Sequence, residues 1–355
     1  MLHPRRLQGL ALLPVAALVL TACGSTAGGG DDEKAAESSQ TTPASSGEGE
    51  SSPTEGGSSE EGAAEGPVEI EDNFGTVEVQ RPPKAVVATD NGMFETLDSW
   101  GVELVAAPKP IIPEGISYPE EDEVKDLGSH REPNLETLVA AQPDLVLNGG
   151  RFADFRKDIE KLVPEAALVE LTPRDGEPLD DELKRQTTAL GEIFGKQSEA
   201  KKLNEALDAE VKRFEKTYDP EQTVMSVIVS GGEIGYVAPT FGRTMGPLYD
   251  VLGLEPALEV EGASEDHQGD DISVEAIAKS NPDIILVMDR DAAVAADEEG
   301  YQPAKEIIES SEALQKVPAV KEGKVFYMPN DAYTNGGIET YTEFIGQVAD
   351  GLEGK

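Results

Sequence analysis

The chain has 355 residues, of which 70 are Asp or Glu and 29 are Lys or Arg, for a formal net charge of −41. So acidic a surface excludes nucleic acid and anionic headgroups as partners held by bulk charge, and one cysteine excludes an internal disulfide. An anion site in such a chain has to be local and strong, so each clustered arginine carries more information than it would in a basic protein.

Residues 1–22 have the form of an export signal: Arg5 and Arg6, an apolar stretch over 7–20, then small residues before Cys23. The stretch is short for a spanning helix. Cys23 stands where a bacterial lipoprotein is lipidated, and a thioether lipid with an acylated amino terminus would anchor the chain stably. Residues 23–66 are dominated by Gly, Ser, Glu, Thr and Ala. They cannot bury a core and are expected to form a disordered acidic tether. The remainder is long enough for two lobes, 67–197 and 219–355, with a helix at 198–218 between them.

Residues 68–79 alternate around Asn73-Phe74-Gly75 and predict a hairpin. A short buried strand follows at 86–89, and Asp90-Asn91-Gly92 forms a turn suited to capping a helix over 93–100. Gly101 permits the left-handed end of that helix, before a strand at 102–106. The segment ending in Gly101 is echoed by 249–255, where a helix runs into Gly253.

A longer internal repeat comes next. Residues 134–151, NLETLVAAQPDLVLNGGR, align without a gap with 273–290, SVEAIAKSNPDIILVMDR. Glu136 pairs with Glu275, Pro143 with Pro282, Asp144 with Asp283 and Arg151 with Arg290. Each copy predicts a short helix, a Pro-Asp turn, a buried parallel strand and an arginine at the strand's carboxyl end. In open α/β sheets that edge is where ligands bind. Two such edges, each with a guanidinium, suggest two similar lobes facing one anionic ligand.

Between the copies, a helix over 181–194 precedes one over 198–218, where Leu203, Leu207, Val211 and Phe214 share a face. Strands are predicted at 223–230, 284–288 and 325–328, a hairpin-like continuation at 231–236, and a final helix over 338–352. Strands and helices alternate throughout, so the class is α/β with largely parallel sheets.

No glycine-rich phosphate loop with lysine, G-x-S-x-G elbow or H-E-x-x-H helix is present. Past the signal the only histidines are His130 and His267, which excludes a His-rich metal site on ligand count. The chain is therefore expected to be no enzyme and to need no cofactor of its own. The cationic candidates are Arg151, Arg290 and Arg243, the last in a glycine-containing loop at 238–246 that could present planar donors to ligand oxygens. His267, in the polar loop 264–270, either ligates iron, donates to a ligand or is simply solvated. Tyr333 precedes the last helix and suits a ferric ion, a flat ligand or ordinary packing.

Gly149-Gly150-Arg151, Phe241-Gly242-Arg243, Asp266-His267-Gln268-Gly269 and Asp289-Arg290-Asp291 resemble motifs of the siderophore-binding lipoproteins of bacterial ABC importers. The resemblance spans about 68–352, and the ferric catecholate binders of the enterobactin and petrobactin type are the subgroup it is most similar to. It implies two Rossmann-like α/β lobes, with mainly parallel sheets, joined by a single long rigid helix. It further implies that Arg151, Arg243 and Arg290 surround a trianionic iron–tris-catecholate. His267 and Tyr333 would complete the iron shell when a siderophore supplies four oxygens, and Glu136 and Glu275 would dock onto permease arginines. The expected partners are a ferric siderophore, the permease with its ATPase, and the bilayer through acylated Cys23. The protein would be a monomer held at the extracytoplasmic face of the cell membrane. Haem or a hydroxamate siderophore is the alternative ligand, and a cell-surface metal-dependent hydrolase the remote alternative.

Overall fold

A computed structural model describes residues 65–354; the signal, the lipidation site at Cys23 and nearly all of the expected tether lie outside them. Val68–Asp72 and Gly75–Val79 pair antiparallel as the alternation predicts. The chain then enters a five-stranded, wholly parallel sheet in the order Lys125–Asp126, Leu104–Ala107, Val86–Ala88, Leu145–Asn148, Ala167–Glu170. The second sheet has six strands. Thr223–Ser230 pairs parallel with Ile284–Asp289, which pairs parallel with Val325–Tyr327. On the other side Glu233–Val237 and Asp270–Asp271 run antiparallel, and Glu255–Pro256 joins the start of Thr223–Ser230.

Both sheets are buried on both faces, which is why their strands read as continuous apolar runs. Leu145 and Leu147 enter one cluster and Val146 another. Ile284, Leu286 and Met288 likewise face away from Ile285 and Val287.

The repeat proves structural down to its caps. Asn134 and Ser273 each cap their helix by accepting a backbone N–H three residues on, from Thr137 and Ala276. Gln142 and Asn281 end the helices with φ of 51° and 58°. The Pro-Asp carboxylates then pin the neighbouring strand. Asp144 accepts the N–H groups of Lys84 and Ala85 at 2.8 and 2.9 Å. Asp283 accepts the N–H and hydroxyl of Thr223 at 2.9 and 3.2 Å.

The long helix expected between the halves spans Gln197–Thr217 and buries Leu207 and Phe214 in the carboxyl-terminal core. The preceding helix, Leu179–Phe194, is the one with side chains in both cores: Leu183 in the carboxyl-terminal cluster, and Ala189, Leu190 and Ile193 in the amino-terminal one. The two helices approach closely at Gly191, where a Cβ would stand 2.7 Å from that of Ala200. Among the described residues no helix is long and apolar enough to cross a membrane.

Candidate functional site

Arg151 lies in the 3-10 helix Gly150–Phe155, directly after the Leu145–Asn148 strand. Arg290 opens the helix Arg290–Val294, directly after Ile284–Asp289, and Asp289 caps that helix by accepting the Ala292 N–H. Arg243 comes from the loop after Glu233–Val237. That loop is folded tightly on itself: a Cβ on Gly246 would stand 2.3 Å from the backbone of Gly242, and Tyr341 holds it by donating to the Thr244 carbonyl at 3.0 Å.

These three elements bring the three guanidinium groups onto one ring. Their central carbons lie 5.1, 5.0 and 5.1 Å from the Tyr333 ring centroid, for Arg151, Arg243 and Arg290 respectively. Tyr333 is buried. Burial by itself would raise its phenol pKa, but the Arg290 hydrogen bond and the Arg243 and Arg151 charges outweigh it and hold the pKa below the ordinary value. Burial is also the main reason the Arg243 pKa is lowered, with the other two arginines adding to it. The Nε atoms of Arg243 and Arg290 are buried with no acceptor, so the site holds donors with hydrogen-bonding capacity left over.

Hydroxyl and amide groups steady the cluster. Arg290 Nη1 donates to Ser230 Oγ at 3.2 Å and to Asp291 Oδ1 at 2.8 Å. Gln268 Nε2 donates to the same Ser230 oxygen at 3.1 Å. That bond ties the 264–270 loop to the site, and His267 stands on this loop, half-exposed, with Nδ1 3.7 Å from Asp266 Oδ1. The structure thus brings Arg151, Arg243, Arg290 and Tyr333 together and leaves His267 on the adjoining loop. Among the described residues no group of three or more His, Cys, Asp or Glu is placed to hold a metal ion.

His130 is a site neighbour that sequence reasoning did not assign. Burial first, then the Arg151 and Arg131 charges, lowers its pKa, and its Nδ1 is buried without a partner. Its place follows from the small hairpin of Gly128–Ser129 and Glu132–Pro133, whose strands are too short for any pattern to reveal.

Beside the cluster the two sheets are bridged by side chains. Thr96 donates to Glu339 Oε1 at 2.7 Å and Asn335 donates to Glu95 Oε2 at 2.8 Å. Arg151 Nη2 reaches the Tyr333 carbonyl at 3.4 Å. Burial pushes the Glu339 carboxyl up to about 7. Glu136 and Glu275 are exposed in the first turns of the two equivalent helices, away from these contacts.

The sequence matches the periplasmic binding protein family over residues 86–332. It is 30% identical over 287 residues to the petrobactin-binding protein YclQ of Bacillus subtilis, covering 79% of this chain and 86% of that one. It is also 30% identical over 293 residues to the ferric-anguibactin-binding protein FatB of Vibrio anguillarum, covering 81% and 88%. The crystal structure of YclQ aligns with a TM-score of 0.68 at 27% identity, over 81% of this chain and 99% of that one. The catecholate-siderophore-binding protein VctP from Vibrio cholerae shares the fold, with a TM-score of 0.70 at 23% identity over 81% and 100%.

Proposed function

Because the chain belongs to the periplasmic binding protein family, we propose that it captures a ferric siderophore, of catecholate type, between its two sheets and delivers it to a membrane permease for iron uptake. The observation that carries this reading is the meeting of Arg151, Arg243 and Arg290 around Tyr333. Ferric iron wrapped by three catecholates is a compact trianion with aromatic edges. Guanidinium groups suit it by charge-assisted hydrogen bonds and by stacking on the rings. A neutral hydroxamate complex gains nothing from three cations. Tyr333, with its lowered pKa, is a candidate iron ligand where the siderophore leaves coordination sites open, and His267 a second on its loop. The siderophore is cargo, and the protein works without catalysis or a resident cofactor.

The remaining assignments extend the same reading. Lipidation at Cys23 would hold the protein at the extracytoplasmic face as a monomer. Glu136 and Glu275, exposed and related by the repeat, would dock one lobe each onto arginines of the permease, which works with an ATPase.

The test is a fluorescence titration of the purified protein with a ferric tris-catecholate, ferrioxamine and haem in parallel. The tris-catecholate should bind most tightly. Equal or tighter binding of ferrioxamine, or a Soret band on adding haem, overturns the catecholate assignment.

A further inference from the structure

The turn that launches Arg151 is held by two side chains from the strands on either side. In the first sheet Leu145–Asn148 lies between Val86–Ala88 and Ala167–Glu170. Asp90 follows the first neighbour, Thr172 the second, and Gly149-Gly150-Arg151 the strand between them. All three segments therefore emerge side by side at one sheet edge.

There the Thr172 hydroxyl donates to Asp90 Oδ2 at 2.7 Å and accepts the Gly150 N–H at 3.1 Å. Asp90 Oδ1 accepts the Gly92 N–H at 3.0 Å. A hydroxyl has one proton, so giving it to Asp90 leaves the oxygen's lone pairs to take the Gly150 N–H. Asp90 is buried, so water does not readily replace the Thr172 hydroxyl against its carboxylate, whereas the Gly150 side of the arrangement is exposed. The fit is close: a Cβ on Gly149 would stand 2.3 Å from both Asp90 Oδ2 and Thr172 Oγ1. Gly150, with φ of 51°, then turns the chain so that the next residue is Arg151.

We propose that Asp90 and Thr172 are positioning residues for the siderophore site, fixing through the Gly150 amide where the Arg151 guanidinium stands over Tyr333. Displacing that amide by about 1 Å would move the arginine out of its arrangement with the other two, and oriented charge is what such a site depends on. The proposal rests on the siderophore-binding reading above.

Ferric enterobactin is titrated into the wild type, Thr172→Val, Thr172→Ser, Arg151→Ala and the Thr172→Val/Arg151→Ala double variant, with thermal midpoints recorded for each. Thr172→Val should weaken binding about tenfold, Thr172→Ser should restore it, and the double variant should bind no more weakly than Arg151→Ala alone. Wild-type affinity in Thr172→Val beside a weakened Arg151→Ala sinks the positioning role and leaves the binding site standing. Losses that add in the double variant also overturn it, because Thr172 would then act elsewhere. Wild-type affinity in Arg151→Ala refutes the site itself, and the positioning role with it. Should Thr172→Val not fold, Asp90→Asn carries the same test: its amide oxygen serves only one of the two donors the carboxylate accepts, and undiminished affinity overturns the proposal.

Discussion

Tyr333 shows how three cations are kept together in the interior of an acidic protein. Each guanidinium faces the same aromatic ring, and the phenol accepts from Arg290. Removing Arg290 should therefore let burial dominate, so the Tyr333 phenol in Arg290→Ala titrates at higher pH than in the wild type. Tyrosinate absorbance, taken as the difference from Tyr333→Phe, measures the shift, and an unchanged midpoint would contradict the arrangement. Arg151→Ala, Arg243→Ala and Arg290→Ala should each weaken a ferric tris-catecholate by ~1–3 kcal/mol, as expected for charged, desolvated hydrogen bonds, read as dissociation constants in the same titration. Arg151 and Arg290 were legible in the sequence because Pro-Asp, an apolar run and Arg place a side chain at a predictable sheet edge, and Arg243 only as an arginine in a glycine-containing loop. Their convergence on Tyr333 was not legible, since it depends on a third loop and on the entry to the last helix. The Thr172 hydroxyl gave no signal at all: a threonine after a strand is ordinary until its neighbours are known.

At the level of elements, the repeat works through four equivalent jobs: helix cap, left-handed helix end, strand anchor and terminal arginine. The copies differ in how well their residues suit those jobs. Asn281 is at ease with a left-handed backbone, whereas Gln142 at φ 51° is not. Gln142→Gly should therefore stabilise the fold by roughly 0.5–1 kcal/mol, while Asn281→Gly should leave it nearly unchanged; urea midpoints of the two variants decide this. Asp283→Ala strips the Thr223 N–H and hydroxyl of their shared acceptor. It should cost about 1–3 kcal/mol, the range for a donor left unpaired. Periodicity placed the helices and strands it assigned within a residue or two, but it assigned nothing to the helices Arg156–Leu162 and Ala304–Ser310 or to the strand Ala167–Glu170. It missed Lys125–Asp126 and Asp270–Asp271, because two residues cannot display an alternation.

Over the whole molecule, the two-sheet plan followed from the internal repeat and the helix between its copies. What the pattern could not convey is that Leu179–Phe194 lends side chains to both cores, since a helix face does not say which sheet it meets. The sheets are also joined by polar bridges, one of them made by the half-buried Glu339, whose carboxyl is pushed up to about 7. A folded-state value raised above the unfolded one contributes stability that is complete below about pH 4.5 and is lost as pH rises through about 7. Glu339→Gln removes that dependence, so wild type should fall relative to it by up to ~3 kcal/mol across this window, measured as thermal midpoints against pH. The division of charge between the sheets has a mechanical outcome as well. Arg151 belongs to one side, Arg243 and Arg290 to the other, so any transporter that prises the sides apart splits the cationic grip in the same stroke. On the function proposed above, opening and unloading would then be a single event, with the cargo let go without a separate trigger.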